Sequence, residues 1–178
     1  MPRLNVVAPA DATGEVKEIY DDLKAKMGKV INIFQGMGNS AAALKAYLGM
    51  AGALKDAQLS PADREAIYLA VSEQNGCTYC VSAHTMLAKK VGLSDEEIIA
   101  IRKQQPQDTK QQALVKFANR VIETKGFVEQ ADLDAIRSAG YADGEIAETC
   151  AQIALAVYTN LFNHVYDTEL DFPAVPEV

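Results

Sequence analysis

The chain has 178 residues, of which 49% are hydrophobic and 23% charged, a composition typical of a globular protein and not of a disordered or fibrous one. Its 17 Lys and Arg against 24 Asp and Glu give a net charge of −7, which argues against a nucleic-acid binder or a protein that docks on anionic membranes, since both need a basic face. No apolar run reaches about 18 residues, so no transmembrane helix is expected, and the first ten residues lack the apolar core of a secretory signal.

Apolar residues recur at spacings of three and four along nearly the whole chain, which predicts an all-α fold of about eight helices. Ser60 followed by Pro61 predicts the start of a central helix, and Asn75-Gly76 predicts its end. The helices predicted in chain order span about 14–27, 40–56, 61–74, 77–91, 95–105, 109–125, 131–139 and 143–165.

The segments between the predicted helices show no sign of a strand or of a linker between domains. No segment alternates with the period of a strand, and no stretch is rich enough in Gly, Ser or Pro to separate domains. We therefore expect one all-helical domain over 1–178, with its most informative segment at 60–92 and an extended C-terminal arm at 168–178.

Two cysteines lie at the predicted start of a helix. Three cysteines in all are too few for a secreted disulfide scaffold, so we expect a cytoplasmic protein whose thiols are available for chemistry. Cys77 and Cys80 share one helix face at a separation that a disulfide accepts, and the helix N-terminus favours thiolates. His84, four residues after Cys80, stacks over the same face and can exchange a proton with that sulfur. A peroxide-reducing dithiol needs this combination of two thiols and an acid.

Other uses of a CxxC pair fit the sequence less well. Attachment of c-type haem requires His directly after the second cysteine, where the chain has Val81. Structural zinc needs a second pair of ligands, which only Cys150 and His164 could supply from far along the chain. Buried structural cysteines account poorly for two polar-flanked thiols beside a histidine.

The pattern of Glu65, Cys77-Thr78-Tyr79-Cys80 and His84 resembles the core motif of the alkylhydroperoxidase D-like branch of the carboxymuconolactone decarboxylase family. In that family a glutamate lies twelve residues before a CxxC, and a histidine lies four residues after its second cysteine. The segment NLFNHVYDTELDFP at 160–173 is also similar to the C-terminal segment of peroxidase-related members.

The resemblance implies a role for each matched residue. Cys80 would be the peroxidatic cysteine and Cys77 the resolving thiol, which donates a proton and closes the disulfide. His84 would relay the proton, and Glu65 would hold and polarise His84, as a carboxylate does for an imidazole base. No metal or haem cofactor is implied.

The chain departs from the best-known members at Tyr79, where they have a histidine directly before the second cysteine. A phenol donates a hydrogen bond but does not shuttle protons near neutral pH, so the departure bears on the completeness of the proton relay and on the catalytic rate, and not on the dithiol chemistry. His164 and Tyr79 are candidates for a supporting position around the site, with a hydrogen-bonded cap or subunit contact as the alternative for His164. Cys150, within an apolar helical run, is expected to be a buried small hydrophobe.

The predicted function is thiol-dependent reduction of peroxides. The alternatives are a non-catalytic oligomeric module with a redox-sensing or structural CxxC, a decarboxylase of the same superfamily, and a zinc-binding helical module. The expected partners are a small peroxide, a dithiol reductant of the lipoyl or thioredoxin-like type, and further copies of the chain in a homo-oligomer, for which the proline-containing tail suits subunit contacts.

Overall fold

The chain folds into nine α-helices and one short 3-10 helix without any strand, in a computed structural model that describes residues 1–178. All eight predicted helices are present. The α-helices are α1 (Gly14–Met27), α2 (Asn32–Met37), α3 (Ala41–Ala53), α4 (Pro61–Gln74), α5 (Thr78–Lys90), α6 (Asp95–Arg102), α7 (Thr109–Thr124), α8 (Gln130–Ser138) and α9 (Asp143–Tyr166). None of them has the length and apolar character needed to cross a membrane.

The boundaries of α4 arise from the local chemistry that the sequence indicates. The Ser60 hydroxyl accepts a hydrogen bond of 3.0 Å from the backbone N–H of Asp63, and Pro61 occupies the first helical position. After α4 ends, Gly76 has φ +68°, a left-handed conformation that favours glycine. This turn reverses the chain so that α5 packs back against α4.

The short helix α2 is the one α-helix that the sequence pattern does not predict. It has six residues and no side-chain cap, so it is too short to establish a helical period. Packing holds it in place: the Tyr20 hydroxyl donates a 2.8 Å hydrogen bond to the carbonyl of Phe34, and Gly36 lies against the ring of Tyr166.

Helix α4 is the centre of the fold and packs against α5, α6, α7 and α9. Side chains on all its sides are therefore buried, including the fully buried Ile67, Leu69 and Val71. A helix enclosed in this way is held rigidly, and it presents Glu65 and Ser72 at fixed positions relative to α5 and α9.

The C-terminal arm at 168–178 contains no helix or strand, and it lies back on its own chain. Asp171 accepts a hydrogen bond of 2.7 Å from the backbone N–H of Asn32, and the Arg102 guanidinium donates one of 2.8 Å to the carbonyl of Pro176. The side chain of Asp171 is only 9% exposed. The arm thus contacts the first turn of α2 and the end of α6.

Candidate active site

The two cysteines lie where α5 begins. Cys77 is the N-cap of α5, and its sulfur accepts a hydrogen bond of 3.3 Å from the backbone N–H of Cys80. The two residues form a disulfide with a Cα–Cα distance of 5.3 Å, within the range that disulfides adopt. They are 1% and 2% exposed. The predicted position of the CxxC at the N-terminus of a central helix is confirmed.

Glu65 on α4 and His84 on α5 are in direct contact. Glu65 Oε2 lies 2.7 Å from His84 Nδ1, and both side chains are largely buried. The imidazole also stacks on the ring of Tyr68, with 3.6 Å between centroids. With its Nδ1–H donated to the carboxylate, the ring is fixed in one orientation and Nε2 remains available to exchange a proton. In the disulfide form no hydrogen bond joins this ring to either cysteine sulfur.

The side chain that does contact the peroxidatic candidate is Asn163 of α9. Its Nδ2 donates to Cys80 Sγ at 3.1 Å, and Cys77 Sγ lies at 3.8 Å. Asn163 is not among the site residues predicted from the sequence. The pattern NxxNH at 160–164 contains it, but the candidate taken from that segment is His164, the one other histidine of the chain.

Tyr79 connects the cysteine turn to the C-terminal arm. Its hydroxyl donates a hydrogen bond of 2.7 Å to Asp171 Oδ2, and its ring meets the edge of Phe172 with 5.7 Å between centroids. Burial raises the pKa of Tyr79, and the hydrogen bond to Asp171 raises it further. The phenol is therefore a neutral hydrogen-bond donor at physiological pH, and it orders the arm over the start of α5.

Two other candidates lie away from the disulfide. His164 is exposed and lines a surface pocket of about 420 Å³ together with Asn75 and Lys125. The expectation for Cys150 is wrong: it is exposed and unpaired. Its neighbours Thr149 and Ile153 face the core, so Cys150 lies on the outer side of α9. The expectation failed because the apolar run around Cys150 extends around more of the helix than the face that becomes buried.

No group of three or more His, Cys, Asp or Glu side chains is arranged to hold a metal ion. In particular, Cys150 and His164 do not join the Cys77–Cys80 pair as the second half of a zinc site.

The segment around the site is similar to known proteins. Residues 41–105 match the model of the carboxymuconolactone decarboxylase family, and this range includes α4 and α5 with Glu65, the CxxC and His84. An uncharacterized protein from Bacillus subtilis (strain 168), YdfG, is 31% identical over 58 residues, which is 33% of this chain and 40% of that protein. The aligned region thus spans less than half the length of this curated relative.

The fold as a whole is similar to solved structures. A peroxidase-related protein from Ralstonia eutropha JMP134, described as an alkylhydroperoxidase AhpD core, superposes with a TM-score of 0.86 at 23% identity, covering 96% of this chain and 92% of that one. A peroxidase-related protein from Silicibacter sp. TM1040 gives 0.80 at 22% identity, covering 95% and 94%. The debrominase Bmp8, in complex with 2,3,4-tribromopyrrole, gives 0.78 at 18% identity, covering 96% and 94%.

These matches agree with the local geometry. The family match covers the two helices that carry the Glu-CxxC-His residues, and the similar structures extend over nearly the whole helical arrangement. The chain is thus similar to the carboxymuconolactone decarboxylase family over residues 41–105, and its fold is similar to that of the alkylhydroperoxidase AhpD core and the peroxidase-related protein among these solved structures.

Proposed function

We propose that the protein is a thiol-dependent peroxidase that cycles between a reduced Cys77/Cys80 pair and their disulfide. The observation that carries the proposal is the 2.7 Å contact between Glu65 Oε2 and His84 Nδ1, beside a cysteine pair in the first turn of the same helix as His84. A carboxylate-oriented imidazole next to a dithiol supplies both a base for the thiol and an acid for the leaving group.

The proposed reaction has two steps. The Cys80 thiolate attacks one oxygen of the peroxide ROOH and the O–O bond breaks; Cys80 becomes a sulfenic acid, and ROH leaves with the proton that His84 took from the Cys80 thiol. The Cys77 thiol then attacks the Cys80 sulfur, the S–O bond breaks, and water leaves with the Cys77 proton. One peroxide and two thiols thus give one alcohol, one water and one disulfide.

The burial of the disulfide restricts the substrate. With Cys77 and Cys80 only 1% and 2% exposed, a peroxide reaches Cys80 if it is small or if a neighbouring segment moves aside. The C-terminal arm is such a segment, since Tyr79 lies between the cysteines in sequence and binds the arm through Asp171. We expect hydrogen peroxide and short alkyl hydroperoxides to react faster than bulky ones.

The reductant and the assembly are part of the same proposal. A dithiol of the lipoyl or thioredoxin-like type would return two electrons to the disulfide and close the cycle. A homo-oligomer is expected as well, and the exposed apolar side chains of Leu161 and Val165, one turn apart on α9, support it.

The first test uses fully reduced protein, alkylated and weighed before and after one equivalent of hydrogen peroxide. Two thiols should disappear together, and peptide mapping should place them at Cys77 and Cys80. Cys80→Ser should abolish the consumption of peroxide, Cys77→Ser should stop the reaction at the sulfenic acid, and Cys150→Ser, at the exposed third cysteine, serves as the matched control that reacts like the wild type.

Each alternative predicts a different result. A protein that keeps all three thiols after peroxide treatment is no peroxidase; redox-dependent assembly without turnover would then favour a sensing module. Disulfide formation with 2,3,4-tribromopyrrole, with loss of bromide and no reaction with peroxide, would favour dithiol dehalogenation. Decarboxylation of a small lactone acid by the Cys77→Ser/Cys80→Ser variant would favour acid–base chemistry at His84.

A further inference from the structure

The amide of Asn163 is held in one orientation against the cysteine pair. Its Nδ2 lies 3.1 Å from Cys80 Sγ, and its Oδ1 accepts a 2.6 Å hydrogen bond from the Thr168 hydroxyl. The backbone N–H of Thr168 also donates to the carbonyl of Asn163, so the turn that ends α9 closes around this residue. With the oxygen occupied by Thr168, the amide hydrogens are directed at the sulfur.

The two cysteine sulfurs share the Asn163 donor but differ in its distance and in their other hydrogen bonds. Cys77 Sγ accepts from the backbone N–H of Cys80 at 3.3 Å and from Asn163 Nδ2 at 3.8 Å. Cys80 Sγ accepts from Asn163 Nδ2 alone, at the shorter distance of 3.1 Å, and Asn163 is 5% exposed. A disulfide sulfur is a weak acceptor, but a thiolate in a site closed to water gains far more from the same donor. The contact therefore favours the reduced, ionised form of Cys80 over the other forms of this residue.

We propose that Asn163 is a catalytic hydrogen-bond donor that stabilises the thiolate of Cys80, with Thr168 as the residue that positions it. The proposal deepens the proposed function, on which it rests for the identity of Cys80 as the attacking thiol. It assigns to the NxxNH segment a role that belongs to its asparagine and not to its histidine. It also gives the beginning of the C-terminal arm a part in the chemistry, through Thr168.

The experiment measures how fast Cys80 reacts with iodoacetamide as a function of pH, with no peroxide present. The background is Cys77→Ser/Cys150→Ser, in which Cys80 is the one remaining thiol and the hydroxyl introduced at position 77 can still cap α5. Asn163→Ala removes the donor, Asn163→Asp replaces it with an acceptor, and Thr168→Val removes only the group that orients it. Asn160→Ala is the matched control, because this amide, one turn away and fully buried, binds Ser72 and Asn75 instead of a sulfur.

Titratable groups near the pair, including Glu65 and His84 across α4 and α5 and Tyr79 with Asp171 of the arm, are unchanged in every variant. Among the variants that add no charge, a difference in the pH midpoint of alkylation therefore reports the effect of the Asn163 donor alone. We expect Asn163→Ala to move the pH midpoint of alkylation upward by about one unit, which makes alkylation below the midpoint about tenfold slower, since hydrogen bonds to ionised groups are the stronger class. Asn163→Asp adds a carboxylate and should raise the midpoint further. Thr168→Val should raise the midpoint less than Asn163→Ala does, and Asn160→Ala should leave it unchanged.

A midpoint that is the same in folded Asn163→Ala and in Asn160→Ala would overturn the assignment, and so would an equal upward shift in both. If Asn163→Ala does not fold, the pH profile of alkylation in Thr168→Val is the deciding measurement. An unchanged midpoint in Thr168→Val would show that Thr168 does not position the donor, and it would overturn the proposal. Peroxide treatment of the wild type is scored separately. If the midpoint shifts but the wild type does not react with peroxide, the donor role of Asn163 is supported and the peroxidase function is overturned. If the wild type turns over peroxide but the midpoint does not shift, only the donor role is overturned.

Discussion

The hydroxyl of Tyr79 donates a hydrogen bond of 2.7 Å to the carboxylate of Asp171, which lies 92 residues further along the chain. Asp171 also receives the backbone N–H of Asn32 at 2.7 Å and approaches the Lys29 ammonium at 3.5 Å. A nearly buried carboxylate is thereby satisfied from three sides, which fixes the arm over the turn that carries the cysteines.

Replacing Tyr79 with Phe is expected to loosen the arm without removing a proton carrier. Asp171 loses one donor, so the free energy of unfolding should fall by about 1–3 kcal/mol, measured by urea denaturation. Because burial keeps the phenol protonated, the pH profile of the reaction with peroxide should not change. Tyr158→Phe is the control, since its hydroxyl makes only a 3.4 Å contact with Ala43. A changed pH profile in Tyr79→Phe would mean that the phenol does carry a proton.

Replacing His84 with Gln is expected to slow single-turnover oxidation of the reduced protein by peroxide by about 10²-fold or more, because the group that takes and returns the proton is lost. Stopped-flow measurement of thiol oxidation gives the rate. Glu65→Gln should act in the same direction to a smaller extent, since the imidazole stays but loses its charged partner. His164→Gln changes the one other histidine, which is exposed, and should react at the wild-type rate. Equal rates for His84→Gln and His164→Gln would remove the relay from the mechanism.

The close contact of α2 with α9 predicts that Gly36 does not accept a side chain. A Cβ at this position would lie 2.6 Å from the ring of Tyr166, a residue that is 1% exposed and has little room to move. We expect Gly36→Ala to destabilise the protein by about 1–3 kcal/mol in thermal or urea unfolding. Gly49→Ala is the matched control in α3: nothing lies within 4 Å of its added Cβ, so helix propensity should make it neutral or stabilising by up to about 1 kcal/mol. Similar effects of the two changes would contradict this packing.

Buried tyrosines predict a loss of stability at alkaline pH. Burial raises the pKa of Tyr20 from 10.0 to about 12, with a contribution from nearby Tyr166. Above pH 10 the unfolded chain therefore releases this proton while the folded protein keeps it, so the free energy of unfolding falls as the pH rises from 10 to 12. Tyr20→Phe loses the hydrogen bond to Phe34 and should be less stable than wild type at about pH 8. The difference between the two proteins in urea unfolding should shrink towards about pH 11; a constant difference would show that Tyr20 does not titrate in this way.

Most of the local structure could be predicted from neighbouring residues. The Ser60-Pro61 start and the Asn75-Gly76 end of α4 appear where predicted, because capping and left-handed turns depend on residues within a few positions of one another. The Glu-CxxC-His spacing likewise placed Glu65 and His84 on neighbouring helices, and the structure has them in contact.

The distant groups that complete the site follow from helix packing and not from any local pattern. Asn163 reaches Cys80 across 83 positions of sequence, and Tyr79 reaches Asp171 across 92. Whether Cys150 faced the core or solvent also depended on the rotation of α9 about its axis, which an apolar run does not specify. Short-range hydrogen bonds and the helical period depend on residues that are close in the sequence and can be predicted from it. The partners of a buried sulfur or carboxylate depend on how the helices pack in the tertiary structure.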